Sequence, residues 1–380
     1  MLTLYNRTAP PQEALIPYRV ISADSHVIEP PDTFAPRVPA KLREKAPRVV
    51  SLPDGGECWR VDEEQGTFGL DTAAKFTYKQ YRPRGLRFAD VARGAWDPKA
   101  HVKDMRKDGV DASVLYPGMG FRLYNMKNAE VRVACIRAWN DWLAEFCSHD
   151  RARLVGPPLL PTEEETIEMA LTELKRTIRE HKITTAQMPI FPHRRYYEPF
   201  YDPLWDLAQR EGISLAIHRG VQRPFAFGGS REGPWMANQV MRDFSYTMPV
   251  ADLIFGGVFD RFPHLVLVSA EGRTGWLAHF VQRADESFRR HRYWLKLSLK
   301  RLPSEYVKAN VYSTFIEDRV GIEMRRLIGV DNQMWSSDYP HSDSSWPHSR
   351  ELNRVQLRGV PMPEKRKLLA ENAVRLYRLN

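Results

Sequence analysis

Cysteine is scarce: the 380 residues contain three, Cys58, Cys135 and Cys147. An odd number with no close pairing excludes a disulfide framework and a thiolate metal site, and predicts a reducing compartment, the cytoplasm. No apolar run reaches the ~18 residues of a membrane-spanning helix, so no membrane partner is expected. The opening segment, MLTLYNRTAPPQEALIPYR, lacks the basic and then apolar stretches of a secretory signal. Internal repeats are absent. Charge of one sign is only mildly in excess, with 56 Lys and Arg against 47 Asp and Glu for a net +9. The basic residues are scattered. Their densest cluster, Arg289–Arg292 continuing to Lys300–Arg301, reads as a solvated helix and loop. Without a nucleic-acid motif the expected partner is a small molecule, with at most a mild attraction for anions.

Aromatic residues are plentiful. Ten Trp, 15 Tyr and 17 Phe can bury a large core. Short β-branched runs recur along the chain, each followed by a longer amphipathic segment. The strand candidates are Arg19–His26, Val110–Pro117, Leu154–Leu160, Thr184–Ile190, Ser214–Gly220, Leu265–Gly272, Val311–Asp318 and Gln333–Pro340. Between them, Asp97-Pro98 opens a helix ending near Asp108-Gly109. Glu130–Cys147 has apolar residues at helical spacing, and Thr162 with Glu165 forms a capping box for Glu163–Glu180. Further helices are predicted over Tyr201–Glu211, Trp235–Phe255, Gly275–Arg292, Arg319–Ile328 and Pro363–Tyr377.

Alternating strands and helices imply parallel βαβ units. Eight of them predict an α/β fold, a closed (β/α)8 TIM barrel, occupying 19–380 as a single domain after a short extension, 1–18. A doubly wound open sheet competes, but no G-x-G-x-x-G follows the first strand. The stretches 31–96 and 220–235, rich in Pro, Gly and charge, read as long loops after strands one and five. Loops of that length are usually functional.

Barrel chemistry sits at the C-terminal ends of the strands. Strand one ends in Asp24-Ser25-His26, with Glu29 beyond; strand five in His218-Arg219; strand six in Glu271-Gly272; strand eight in Asp338, followed by His341 and Asp343. Asp24 and His26 are two apart and face the same side of a strand. With His218 and Asp338 they can cage a divalent cation, Zn, Mn or Fe, between imidazoles and carboxylates. Glu271 ends an almost wholly apolar run, where a carboxylate needs a partner: a metal, Arg219 or Arg273. His341 is a candidate ligand or proton carrier, and Glu29 a ligand or a loop cap. Trp346, Trp276, Tyr339 and Phe121 are candidates to line the pocket.

ADSHVIEPPDTF, AIHRG, SAEGRTGW and SSDYPHSDSSWP, in that order, together with a terminal ENAVRLYRL, resemble the amidohydrolase superfamily. The similarity is to its amidohydrolase-related branch, which includes metal-dependent aromatic-acid decarboxylases and hydrolases. The resemblance implies a barrel with one or two metal ions, with Asp24, His26, His218 and Asp338 at ligand positions, and an assembly of identical subunits, often a dimer. The chain departs from the common pattern in having Asp-x-His where many members have His-x-His. It also has no lysine ending strand four, and Glu271 stands where the decarboxylases often have a histidine.

Two chemistries follow. In the first, a metal activates water or polarises a carboxylate for hydrolysis or decarboxylation. Asp338 and His341 then move protons, and Arg219 or Arg273 grips a substrate carboxylate. In the second, Asp24, His26, His218, Glu271, Asp338 and His341 hold two irons, with Glu271 bridging, for dioxygen activation. A metal-free structural subunit is the remaining reading.

Overall fold

The computed structural model describes residues 18–68, 74–75, 80, 82, 84–219, 236–237 and 240–380. The predicted extension 1–18, except its last residue, and the predicted loop 220–235 lie outside the described residues, as does Trp235.

The eight predicted runs are eight parallel strands. They are β1 (Ile21–Val27), β5 (Ala112–Pro117), β6 (Leu154–Val155), β7 (Thr185–Pro189), β8 (Ser214–His218), β9 (Leu267–Ala270), β10 (Val311–Phe315) and β11 (Gln333–Trp335). β1, β5 and β6 pair in sequence, as do β7 to β11. The amide of Leu160 donates to Gln187 O (2.9 Å) and joins the two groups. Asp338 N to Asp24 O (3.0 Å) and His26 N to Tyr339 O (2.6 Å) bring β11 back against β1 and close the barrel.

The third strand is much shorter than its predicted run. Gly156, Pro157 and Pro158 follow Val155, and proline has no N–H to give a ladder. Register sorts inside from outside: His218 pairs with Ala270 and Pro189, and Ala216 with Val268 and Gln187. Ala112, Val114, Ala216, Val268 and Met334 fill the interior with Tyr377. Leu215, Leu267 and Met188 pack outward, in the same cluster as Trp205 and Leu174 of the surrounding helices.

Asp97 accepts from Ala100 N (2.8 Å) and opens the helix Pro98–Asp108, which stops at Gly109 with φ 71°. Asn128 caps Ala129–Ser148 in the same way. The Thr162–Glu165 capping box does not form, and the helix begins at Glu168. The residues before it are engaged elsewhere: Arg132 bonds Glu164 Oε1 and Glu163 O, and Glu163 Oε2 accepts from His193 N. The predicted helix Arg319–Ile328 is two short helices, Arg319–Glu323 and Arg325–Ile328. Two helices absent from the sequence reading, Pro303–Asn310 and Ser349–Gln356, complete the outer layer.

The stretch 31–96 is more than a loop. It carries an antiparallel sheet of β2 (Arg48–Ser51), β3 (Glu57–Val61) and β4 (Glu64–Thr67). Trp59, Val61 and Phe68 of this insertion join the core formed with Trp139 and Leu143 of the helix Ala129–Ser148. Among the described residues no helix is long and apolar enough to cross a membrane. All three cysteines are free and buried.

Candidate metal centre

β1 brings Asp24 and His26 to the barrel mouth through a bulge. Its register against β5 slips between Ser22 and Ser25, which bends the strand and re-aims its side chains. Ser22 fixes the slip: its Oγ donates to Asp24 O (2.8 Å) and accepts from Ser337 N (2.8 Å). One hydroxyl therefore ties the bulge of β1 to the residue before Asp338. Glu271, Arg273 and Asp338 all have positive φ, 57°, 55° and 53°. Non-glycine residues are held in that conformation only where their surroundings over-determine it.

His26 Nδ1 donates to Pro117 O (2.8 Å) and His218 Nδ1 to Arg219 O (2.5 Å). Carbonyls only accept, so these bonds fix the tautomers and leave each Nε2 with a bare lone pair. Both lone pairs face carboxylates. His26 Nε2 lies 3.2 Å from Asp338 Oδ1 and 3.6 Å from Asp24 Oδ1; His218 Nε2 lies 3.3 Å from Asp24 Oδ1. Acceptor opposed to acceptor in a buried site needs a cation between them. His26 Nε2 and Asp338 Oδ2 complete no hydrogen bond. Asp24, His26 and His218 offer ligand atoms all within 4.8 Å of one another, and so do His26, Asp338 and His341. The residues present therefore fit a divalent metal, and the four expected from the sequence converge.

Burial pushes the Asp24 carboxyl up, only partly offset by His218 and His26. Burial acts the same way on Asp338, but His341 and His26 outweigh it and hold that carboxyl well below the usual range. His341 reaches Asp338 Oδ1 at 3.1 Å, and its ring lies 4.0 Å from that of His26. Phe121 stacks on His218 at 4.8 Å and 25°.

Glu271 is committed to Arg219, which also reaches Asp243 (3.3 Å) and Asp343 (3.4 Å). Glu271 Oε2 stands 3.6 Å from His218 Nε2. Burial opposes its charge, but Arg219 and His218 hold the carboxyl below its ordinary value. Arg219 is thus tied to three carboxylates, at the edge of the cavity. Arg273 turns away: it bonds Glu317 O (2.7 Å) and Asp243 (3.0 Å) and is 41% exposed. Trp346 is outside too, its indole donating to Asp104 O (3.3 Å) with the Lys107 ammonium 4.5 Å above the ring. Glu29 is a loop cap: its carboxylate accepts from Met119 N, Gly120 N and Trp139 Nε1 at 2.7–3.0 Å.

The cavity over the site measures about 120 Å³. His26, His218, Arg219, Glu271, His341 and Phe121 line it, with Trp59, Gly66 and Thr67 of the inserted sheet, Gly118, Met119, Arg122 and Arg242. Sequence reading missed the Trp59 wall. Its one signal was Asp54-Gly55-Gly56 between two β-branched or aromatic runs, the mark of a hairpin.

A family profile described as amidohydrolase matches residues 23–379. A 2-amino-3-carboxymuconate-6-semialdehyde decarboxylase from Dictyostelium discoideum is 23% identical over 260 residues, 67% of this chain and 70% of that protein. The crystal structure of an amidohydrolase from Mycobacterium avium subsp. paratuberculosis K-10 superposes with a TM-score of 0.78, at 21% identity over 95% of this chain and 98% of its own. A dihydroxybenzoic acid decarboxylase from Polaromonas sp. JS666, with bound manganese and 2-nitroresorcinol, gives a TM-score of 0.65 at 18% identity, covering 95% of this chain and 97% of its own.

Proposed function

The chain belongs to the amidohydrolase family, and from that premise we propose that it is a divalent-metal-dependent decarboxylase of a small aromatic carboxylate. The observation that carries this is the opposition of two imidazole lone pairs to the buried carboxylates of Asp24 and Asp338. Asp24, His26, His218 and Asp338 are the ligands. The catalytic unit is residues 19–380 as one domain. When bound, the cation supplies a Lewis acid that polarises a substrate oxygen and neutralises charge at the reacting centre.

The protein's own groups do the rest. Loss of carbon dioxide from an aromatic carboxylate consumes one proton, which must arrive at the ring carbon as the C–C bond breaks. Asp338 is placed to pass it on: His341 Nδ1 reaches Oδ1, Oδ2 completes no hydrogen bond, and the carboxylate, ionised at rest, takes the proton from His341 before handing it to the ring carbon. His341, 18% exposed, connects that carboxyl to the cavity and is the route for its reprotonation. Phe121 stacks on His218 and keeps water from one side of it.

Glu271 serves as the partner of Arg219, which argues against a bridge between two irons. The three relatives described above include no oxygenase, and the dioxygen reading has no support. The test is elemental analysis of protein purified without added metal, followed by assay of carbon dioxide release from aromatic acids. One Mn or Zn per chain with release of carbon dioxide is expected. Two irons per chain with substrate-dependent oxygen uptake would overturn the proposal.

A further inference from the structure

The segment Pro117–Phe121, which ends β5 and follows it, touches both of the imidazoles that face Asp24 and Asp338. At its start, Pro117 O accepts from His26 Nδ1 (2.8 Å). At its end, the Phe121 ring stacks on His218 at 4.8 Å and meets His26 edge-on at 6.3 Å. Between these two contacts the carboxylate of Glu29 holds the backbone. Its Oε2 accepts from Met119 N (2.8 Å) and its Oε1 from Gly120 N (3.0 Å). Oε1 also accepts from Trp139 Nε1 (2.7 Å), which ties the arrangement to the helix Ala129–Ser148. Glu29 follows His26 by three residues, so one stretch of chain supplies an imidazole and the clamp on the segment that orients it.

The fit is close on every side. A Cβ at Gly118 would stand 3.0 Å from Glu29 Oε2 and 2.8 Å from Ile28 Cδ1. One at Gly120 would stand 2.9 Å from Trp139 Nε1 and 3.1 Å from Glu29 Oε1. Only bare backbone comes so near the carboxylate. Glu29 is fully buried, and the three N–H groups that face it are neutral. Burial lifts its pKa above the ordinary value, against the pull of those donors. Such a group is costly to bury, but an ionised carboxylate is acceptor-only and can take all three N–H groups with no donor of its own to misplace.

We propose that Glu29 is a positioning residue for the metal site: it acts through the segment Pro117–Phe121, which orients the His26 and His218 rings, and not as a ligand. The inference rests on the reading of Asp24, His26, His218 and Asp338 as a metal site, and is independent of the reaction assigned to it. The partners that fix the rings of metal-binding histidines are worth about 10–100-fold in metal affinity, and Glu29 holds the partners of two such rings at once.

The test titrates cobalt(II), whose visible spectrum follows the geometry of its ligands, into the full chain after dialysis against a chelator. Wild type is compared with Glu29→Gln, which keeps the length of the side chain and sets an amide donor against N–H groups. Leu174→Ala is the control: it opens a cavity in the apolar cluster beneath the outer helices and lowers stability without touching Pro117–Phe121. Glu29→Gln is expected to bind cobalt about tenfold more weakly than wild type, with altered visible bands, while Leu174→Ala matches wild type in both. Equal affinity and an equal spectrum in Glu29→Gln and wild type overturn the proposal. So does an equal weakening in Leu174→Ala, which would mark the effect as a general loss of stability. If Glu29→Gln does not fold, Gly118→Ala, which keeps the carboxylate and crowds it, is read in the same way with the same outcomes. A wild type that takes up no cobalt overturns the metal site itself, a result distinct from a wild type and a variant that bind it alike.

Discussion

Glu271 is held between an arginine and a histidine, and the arginine is the closer partner. Its ion pair neutralises the buried Arg219 guanidinium and holds it at the cavity edge. Glu271→Gln is expected to leave metal content unchanged and to lower stability by about 2 kcal/mol, because Arg219 retains Asp243 and Asp343. Urea unfolding with parallel metal analysis checks both; a fall in metal per chain would make Glu271 a ligand. A second residue, away from the metal, governs acid sensitivity. His101 is buried, which depresses its pKa from 6.5 to about 4. The unfolded chain takes up that proton first, so the contribution of His101 is complete above pH 6.5 and drains away as the pH falls toward 4. Asp108, pushed up to about 6 by burial, works in the opposite sense, losing its contribution as the pH rises through that value. The two slopes mask one another in the wild type. Comparison with His101→Gln separates them: between pH 7 and 5 the wild type should lose about 2 kcal/mol relative to the variant. Parallel urea curves for the two proteins across that range would show the assignment to be wrong.

At the scale of elements, the bulge in β1 aligns the centre. Ser22 bonds to both of the segments that carry Asp24 and Asp338. Ser22→Ala should cost only about 1 kcal/mol of stability, yet lower kcat at least tenfold, since the bulge loses one of its ties to the segment of Asp338 and only the direct Asp338 N to Asp24 O bond and the Ser25–Ser337 contact remain. Thermal midpoints and kcat, measured on the same preparation, decide whether activity falls out of proportion to stability. The strands themselves were legible in the sequence because each is a short apolar run closed by a polar residue, and the four residues that converge at the barrel mouth stood at those closures. The wall opposite was not. Trp59 belongs to a sheet whose strands are four or five residues long, embedded in a stretch dominated by Pro, Gly and charge. Its residues alternate too briefly for periodicity to show. Thr162 and Glu165 matched a local capping pattern, but Arg132 and His193, distant in sequence, claimed the neighbouring glutamates. Arg273 and Trp346 stood close in sequence to Glu271 and His341, and that proximity did not bring them into the cavity.

For the molecule as a whole, the proposed metal site predicts that cation binding and folding are thermodynamically linked. The two groups of strands meet through β11 and β1 at two of the residues proposed as ligands, His26 and Asp338. Metal at a hundred times its dissociation constant should add about 2.7 kcal/mol to stability, and chelation should remove it. His218→Ala should unfold at the midpoint of the chelated wild type whether or not manganese is present. A manganese-dependent rise in that variant would place the ion elsewhere. The positive φ angles at Glu271, Arg273 and Asp338 carry a different lesson. Each costs roughly 1–2 kcal/mol that glycine would not incur; Arg273 faces away from the cavity, so Glu271 and Asp338 are the two positions where robustness has been surrendered at the site. A breeder selecting this protein for heat tolerance alone would be rewarded for replacing them, and would arrive at a sturdier barrel that does nothing.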